Sequence, residues 1–149
     1  MMKQKLINKM KIVFPGYSEN ERFSRAAVSS FVSQLDPLVD ELSDIKTAVS
    51  EGVTNAIVHA YPDTIGEVQL EVKIVEGRRV IIKIKDKGCG IEDIEKAMEP
   101  MFTTSPDEER AGLGFAVMQS FMDSVRLRSR VGKGTVLTLE KTLREKKHK

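Results

Sequence analysis

The spacing of apolar residues changes near residue 65, and this change limits the fold more than any other feature. Before it, apolar residues recur every three or four positions, which predicts one helix up to Asp36-Pro37 and a second that ends at Tyr61-Pro62. After it, apolar and polar residues alternate over 68–74 and 80–84, on either side of a turn at 76–78, which predicts an antiparallel hairpin. Helices followed by strands place the chain in the α+β class.

The first helix is predicted to begin at residue 18, after a weakly alternating edge strand over Lys9–Phe14. Ser18 and Glu21 have the spacing of a capping box. Four apolar residues at four-residue intervals are expected to form the buried stripe of this helix: Phe23, Ala27, Phe31 and Leu35. Glu21 and Arg25 are expected to be exposed near its start.

Polar residues recur on one face of the second helix. Glu51, Asn55 and His59 are four residues apart, and a helix has about 3.6 residues per turn, so all three lie on one side. An amide oxygen can hold Mg²⁺ against phosphates while a carboxylate one turn away accepts a proton. The alternative is an ordinary solvated helix face.

Two glycine motifs follow the helices. The second strand of the hairpin runs into Asp86-Lys87-Gly88-Cys89-Gly90, where two glycines permit a sharp turn and the carboxylate can accept a hydrogen bond from an amino group. Further on, Gly112-Leu113-Gly114-Phe115 is expected at the start of a helix, where exposed amides suit phosphate. Simple turns are the alternative interpretation of both motifs.

The remaining segments are a predicted loop and a second hairpin. Residues 101–111 show no period and are expected to form a mobile loop. Residues 124–129 and 135–143 alternate again as strands, separated by the turn Val131-Gly132-Lys133-Gly134. A plain hairpin turn is one interpretation of this last glycine pair.

Composition restricts the class of protein. The 149 residues suit one domain, no apolar run approaches the roughly 20 residues of a membrane helix, and the first 14 residues lack a signal-peptide core. The single cysteine excludes an internal disulfide and favours a reducing cytoplasm. Residues 12–140 hold 21 acidic and 15 basic residues, whereas both ends are rich in Lys. The body is therefore expected to bind a basic or mixed protein surface rather than nucleic acid.

The order of these motifs resembles the Bergerat ATP-binding fold, the GHKL family of gyrase, Hsp90, sensor histidine kinases and bacterial anti-sigma serine kinases. The resemblance is closest to the sporulation anti-sigma serine kinases. It is carried by residues 50–59, 100–104 and 112–115, with 20–25 and 34–37, and it extends from about residue 10 to 143. It implies a two-layer α/β sandwich whose mixed, mostly antiparallel sheet is covered on one face by helices. It also implies a single domain over 1–149, with Lys-rich ends outside an ordered core.

The resemblance implies a role for each motif residue in binding ATP and Mg²⁺. Glu51 would be the general base, Asn55 would hold Mg²⁺, and Asp86 would bind the adenine amino group. Glycines, lid residues and their neighbours would complete the nucleotide site: Gly88, Gly90, Thr103, Thr104, Arg110, Gly112, Leu113, Gly114, Phe115 and Thr135. The segment 101–111 would be the lid.

The implied activity is a protein-serine kinase that phosphorylates an anti-anti-sigma factor and also holds sigma factor F away from RNA polymerase. Glu21 and Arg25 are the predicted partner surface, and Lys9–Phe14 with the first helix is a predicted homodimer contact. Three alternatives remain: a stress-response kinase of the same family, the ATP-binding module of a histidine kinase, and a protein that binds ATP only as a structural ligand. The histidine kinase needs an acceptor histidine on a dimerising helix, but the chain has only His59 and His148.

Overall fold

Five strands form one antiparallel sheet in a computed structural model that describes residues 4–98 and 106–145, without the side chains of 95, 96 and 106–112. The strands are β1 (Leu6–Pro15), β2 (Glu67–Val75), β3 (Arg79–Asp86), β4 (Ser124–Arg130) and β5 (Gly134–Thr142). The helices are α1 (Ser18–Val32), α2 (Val39–Val58), α3 (Ile94–Met98) and α4 (Pro106–Phe121), with a 3₁₀ turn at Ser33–Leu35.

The strand order β1-β2-β3-β5-β4 places β1 and β4 at the edges. Alternate side chains of the strands are buried with α1, α2 and α4 in one core that includes Leu70, Ile82, Val53 and Met118. This confirms the two-layer sandwich, with the helices on one face. The sheet is more strictly antiparallel than expected, because all four described strand pairings are antiparallel.

The buried stripe predicted for α1 was partly correct, because Phe31 and Leu35 are partly buried against the core, but the fully buried residues lie one position further along the helix. Ser24, Val28 and Val32 are buried, whereas Phe23 is 56% exposed. One residue corresponds to about 100° around a helix, so Glu21 is turned toward the core and only 19% of its side chain is exposed. The predicted capping box is also absent, because Tyr17 is the N-cap and makes no side-chain cap bond.

The start of α2 is attached to the end of β5. The buried carboxylate of Glu41 accepts hydrogen bonds from the backbone N–H groups of Leu38 (3.0 Å) and Arg144 (2.7 Å). Burial alone would raise the pKa of Glu41, but these hydrogen bonds lower it below its ordinary value. A buried charge that is bonded from two sides fixes where α2 begins relative to the sheet.

The helix near the second glycine motif begins earlier than expected. Helix α4 runs from Pro106, so Gly112 and Gly114 lie inside it rather than at its start, and residues 106–111 are helical rather than part of a loop. The sequence contains the signals for this start, since Pro at the first helical position followed by three acidic residues is typical of a helix N-terminus. Residues 99–105, the rest of the expected lid, lie outside the described residues.

The sheet face opposite the helices is strongly basic. Nine outward-facing positions of the five strands carry Lys or Arg, and three carry Glu. The basic residues are Lys9, Lys11, Lys73, Arg79, Lys83, Lys85, Arg126, Arg128 and Arg130, and the acidic residues are Glu67, Glu71 and Glu140. The composition of residues 12–140 suggested a body that is acidic overall. This face of the sheet is basic instead, so the excess of acidic residues lies on other parts of the surface.

Within the described ranges, every helix is too short or too polar to cross a membrane.

Candidate functional site

A cavity of about 790 Å³ opens between α2 and the ends of the central strands. Asn55, Ala56 and His59 of α2 line one side, and Asp86, Thr135 and Leu137 of the sheet line another. Phe115 of α4 and the segment after Gly90 complete the wall. This volume lies in the range of cavities that bind small molecules and cofactors, about 300–1,000 Å³.

At one end of the site, α4 approaches the polar face of α2. A Cβ atom added to Gly114 would lie 3.0 Å from Glu51 Oε2 and 3.5 Å from Asn55 Nδ2. The absence of a side chain at Gly114 therefore leaves the space next to the carboxylate and the amide open. Glu51 stands beside this space and is not a lining residue of the main cavity, whereas Asn55 is.

Asn55 has an unused hydrogen-bonding group. Its Nδ2 is buried and has no hydrogen-bond partner among the residues that the structure describes. An unpartnered buried amide costs about 1–3 kcal/mol, a cost that a bound polar ligand removes. The unused Nδ2 group is a hydrogen-bond donor and can bond a phosphate oxygen, whereas the Oδ1 atom of the same amide is the type of ligand that Mg²⁺ takes.

At the other end, Asp86 lies where β3 ends. Its carboxylate accepts hydrogen bonds from the N–H of Gly88 (3.0 Å) and from the backbone of Thr135, which faces it on β5. Burial raises the pKa of Asp86, although these two hydrogen bonds partly oppose the shift. Asp86 lines the cavity, and its carboxylate can accept a further hydrogen bond from a ligand there.

Gly90 is required by a close backbone approach. A Cβ at this position would lie 2.1 Å from the carbonyl oxygen of Arg130, and its φ is +77°. Gly132 has nearly the same φ, +79°, but no atom lies within 4 Å of a Cβ built there. Both glycines permit a left-handed turn, but only Gly90 also lets the loop after Asp86 rest against the backbone of β4.

Sequence analysis missed the role of Tyr61, which it used only as a helix end. The Tyr61 hydroxyl donates to the carbonyl oxygen of Glu67 (2.8 Å) and accepts from the N–H of Lys87 (2.6 Å). Burial raises the pKa of Tyr61, so the hydroxyl keeps its proton at neutral pH. Tyr61 thus joins the segment after α2 to the loop that carries Gly88 and Gly90.

The hydrogen bonds of Ser129 were also not predicted from the sequence. Its hydroxyl accepts a hydrogen bond from the N–H of Ile91 (2.7 Å) and lies 2.7 Å from Thr135 Oγ1 and 3.0 Å from the carbonyl oxygen of Gly134. The signal in the sequence is that Ser129 shares the inward face of β4 with Val125 and Leu127. A hydroxyl among apolar residues on an inward face needs a specific partner.

We expect Tyr61→Phe to weaken binding of the nucleotide that the sequence resemblance implies by about 3- to 10-fold, since the N–H of Lys87 loses its acceptor and the loop beside Asp86 is less firmly held. The measurement is calorimetric titration with ATP, with thermal unfolding of the free protein recorded in parallel. Tyr17→Phe, which removes the same atom from a half-exposed ring, is the matched control. Equal ATP affinities for Tyr61→Phe and the unmodified protein would exclude this positioning role.

The structure brings together two groups of the residues selected from the sequence. Glu51, Asn55 and Gly114 lie at one end of the site, and Asp86, Gly88, Gly90 and Thr135 at the other. Phe115 lines the cavity between them, and Leu113 is exposed.

Other predicted residues lie elsewhere or are not described. Thr103 and Thr104 lie outside the described residues, as do the side chain of Arg110 and the surroundings of Gly112. Glu21 and Arg25 are on α1 and do not line this cavity.

Comparison with known proteins gives consistent matches. Residues 17–141 match the family model of the histidine kinase-like ATPase domain. The anti-sigma F factor of Clostridium acetobutylicum is 51% identical over 136 residues, which are 91% of this chain and 94% of that protein. The anti-sigma F factor of Pasteuria penetrans is 49% identical over 137 residues, 91% of each chain.

Two solved structures share the fold. The RsbU and RsbW domains of a Mycobacterium tuberculosis protein match with a TM-score of 0.68 and 19% identity, over 92% of this chain and 33% of that chain. The histidine kinase domain of a blue-light activated histidine kinase from Erythrobacter litoralis matches with a TM-score of 0.55 and 21% identity, over 83% of this chain and 61% of that chain.

Proposed function

The chain belongs to the histidine kinase-like ATPase family, and within it to the anti-sigma F factors, and we propose that it is an ATP-dependent protein-serine kinase that also sequesters sporulation sigma factor F. Its substrate would be a serine of an anti-anti-sigma factor. We further propose that residues 1–149 act as one domain in the cytoplasm. Membership of this family implies that the chain binds ATP. The serine acceptor, the Mg²⁺ ion and the protein partners are proposed in addition.

The observation that carries the proposal is the placement of Glu51 beside Asn55 and Gly114, just outside the wall of a cavity that Asn55 and Asp86 both line. A nucleotide whose adenine amino group donates to Asp86 would direct its phosphates toward Asn55. A site that only bound ATP would have no need of a carboxylate at that end. This arrangement therefore favours phosphoryl transfer over a purely structural role for ATP.

In the proposed reaction, the serine oxygen attacks the γ-phosphorus of ATP, the bond from that phosphorus to the β,γ-bridging oxygen breaks, and ADP leaves. Glu51 would take the proton of the serine hydroxyl as the new bond forms. Asn55 would hold Mg²⁺, which neutralises the phosphate charge when bound. Phosphoryl transfer depends mainly on positioning and electrostatic stabilisation, which is what a carboxylate and an amide on one rigid helix supply.

The histidine kinase alternative is not favoured by the described structure. His59 is the C-cap of α2 and lines the cavity itself. An acceptor histidine must instead be presented on an exposed helix to a nucleotide bound by another segment. A stress-response kinase of the same family would have the same site features. It would differ from the proposed protein in the sigma factor that it binds.

The exposed side of α1 supports the proposed partner surface. Arg25 is about one-third exposed and lies 3.9 Å from Glu21, one turn away. Phe23, between them, exposes more than half of its side chain. An aromatic residue flanked by charges is a common composition for a protein contact.

We also propose a homodimer through β1 and α1. Strand β1 is an edge of the sheet, and Leu6, Ile7 and Val13 expose apolar side chains along it. A long exposed edge strand is a ready site for pairing with another chain.

The kinase proposal is tested by incubating the full chain with Mg²⁺, γ-labelled ATP and a candidate anti-anti-sigma protein, and then locating the label by mass spectrometry. Label on a serine of the partner is the expected result. Label that remains on a histidine of this chain, or no transfer to any candidate that binds, would contradict the proposal.

We expect Arg25→Glu to weaken capture of sigma factor F by at least tenfold, because the reversed charge repels Glu21 and any acidic group that pairs with Arg25. ATP affinity should be unchanged, since α1 does not line the cavity. Pull-down and calorimetry measure the two effects. Lys46→Glu, the same charge change at an exposed position of α2, is the control, and equal sigma binding by both variants would remove Arg25 from the surface.

A further inference from the structure

We propose that the uncovered face of the sheet is a docking surface for an acidic segment of a partner protein. The surface is a basic trough, defined by Lys83 and Lys85 of β3 on one side and Arg126, Arg128 and Arg130 of β4 on the other. Strand β5 lies between the two rows, where its outward residues Val136 and Thr138 form an uncharged floor, and its next outward residue, Glu140, lies at one end of the trough. The trough is on the opposite side of the sheet from the helices, so this inference does not depend on the kinase proposal.

The strand register fixes the spacing of the charges. Lys85 and Arg128 both pair with Val136, and Lys83 and Arg126 both pair with Thr138, so the rows face each other across one strand. Neighbouring strands are about 4.8 Å apart, which separates the two rows by roughly 10 Å at the backbone. Within a row, charges repeat about every 6.8 Å, the same interval at which an extended peptide repeats side chains on one face.

Most of these charges lack an internal partner. Arg126 pairs with Glu140 (2.7 Å). Within 4–98 and 106–145, no described carboxylate lies within salt-bridge distance of Lys83, Lys85, Arg128 or Arg130. Lys85, Arg128 and Arg130 are also exposed. Clustered like charges destabilise a folded chain by mutual repulsion, and an acidic ligand would relieve that repulsion.

One end of the trough deepens into a cavity of about 300 Å³. Its charged lining residues are five basic and two acidic ones: Lys85, Lys87, Arg128, Arg130, Lys133, Glu67 and Asp86. A concave basic pocket at the end of a flat basic surface can enclose a carboxylate side chain. The surface therefore has both rows of positive charges and a pocket that can hold one acidic side chain.

The chemistry of the surface favours an acidic peptide over nucleic acid or a second copy. Proteins that bind single-stranded nucleic acid stack bases on aromatic residues, and the outward positions of β3, β4 and β5 carry none. The remainder of residues 12–140 is acidic and would repel a long polyanion. Two copies packed through this face would oppose basic residues to each other.

The test is fluorescence anisotropy with the full chain at low salt and two labelled peptides, one alternating Glu and Ala and the other alternating Gln and Ala. We expect the Glu peptide to bind and the Gln peptide to bind at least tenfold more weakly. The double variant Lys85→Glu, Arg128→Glu should weaken the Glu peptide roughly tenfold or more, and Lys46→Glu, on the helix side, should leave it within twofold.

Reversing charge within a basic cluster reduces repulsion, so the double variant should remain folded, and thermal unfolding verifies this. Lys85→Gln with Arg128→Gln provides a milder second variant with the same expected direction. Equal binding of the two peptides, or unchanged affinity in both double variants, would overturn the proposal. So would tighter binding of an RNA or DNA oligonucleotide that depends on Lys85 and Arg128, or a loss of dimer mass in the double variants by sedimentation.

Discussion

Glu51→Gln should leave ATP binding within about threefold of the unmodified protein and lower phosphoryl transfer to the serine partner by about 10²–10⁴-fold, the usual contribution of a positioned general base. Gln has nearly the same shape as Glu and cannot accept the serine proton. Glu51 stands beside Gly114 and outside the main cavity wall, so its charge contributes little to holding the nucleotide. The effect should therefore appear in kcat, with KM for ATP nearly unchanged.

Single-turnover transfer of labelled phosphate measures this effect. Glu76→Gln, the same chemical change at the exposed turn between β2 and β3, should transfer phosphate at the normal rate. If Glu51→Gln keeps full turnover, Glu51 is not the base. If it loses ATP binding to the same extent as turnover, Glu51 acts in binding rather than in catalysis.

Several candidate residues that the structure places in or beside the cavity could be selected from the sequence, because local chemistry alone identifies them. The four-residue spacing of Glu51 and Asn55 requires only that α2 be helical, and Asp86 is the last residue of an alternating strand. Neither inference depends on how distant segments pack. The order of the motifs along the chain then narrowed the interpretation to one family, which the comparisons confirmed.

Apart from the start of α4, for which the sequence contains local signals, the features that sequence analysis missed depend on tertiary contacts. In α1, two adjacent stripes are both mainly apolar, and the core selects Val28 and Val32 over Phe23 because of how the helix packs against α2 and the sheet. The hydrogen bond between the Tyr61 hydroxyl and the N–H of Lys87 joins residues 26 positions apart. The spacing of residues along the sequence does not indicate a hydrogen bond between such distant positions.

Two of the glycines illustrate the same difference between local features, which the sequence predicts, and tertiary contacts, which it does not. Gly90 and Gly132 are alike in sequence context and in φ, and both are predictable as turn glycines. Only the structure shows that Gly90 lies against the carbonyl oxygen of Arg130 while Gly132 faces open space. A turn is a local property, whereas a close approach between two chain segments is not.

Asn55→Ala should weaken Mg²⁺-ATP binding by about 10- to 150-fold, corresponding to the 1.5–3 kcal/mol typical of a hydrogen bond to a charged group. The free protein should be no less stable, and its unfolding temperature should stay the same or rise. The buried Nδ2 of Asn55 has no partner among the described residues, and Ala is a better helix former than Asn. Weaker binding together with undiminished stability would separate a ligand contact from a structural one.

Removing Mg²⁺ tests whether Asn55 contacts the nucleotide through the metal ion or directly. If Asn55 acts through Mg²⁺, a chelator should weaken ATP binding in the unmodified protein and have little further effect in Asn55→Ala, because the two changes remove the same interaction. Thr54→Ala, one residue away on α2 and not a lining residue of the cavity, should keep both the affinity and the response to the chelator. Calorimetry that finds normal affinity in Asn55→Ala, or full chelator sensitivity in that variant, would show that the ion is held by other residues and that Asn55 is not its ligand.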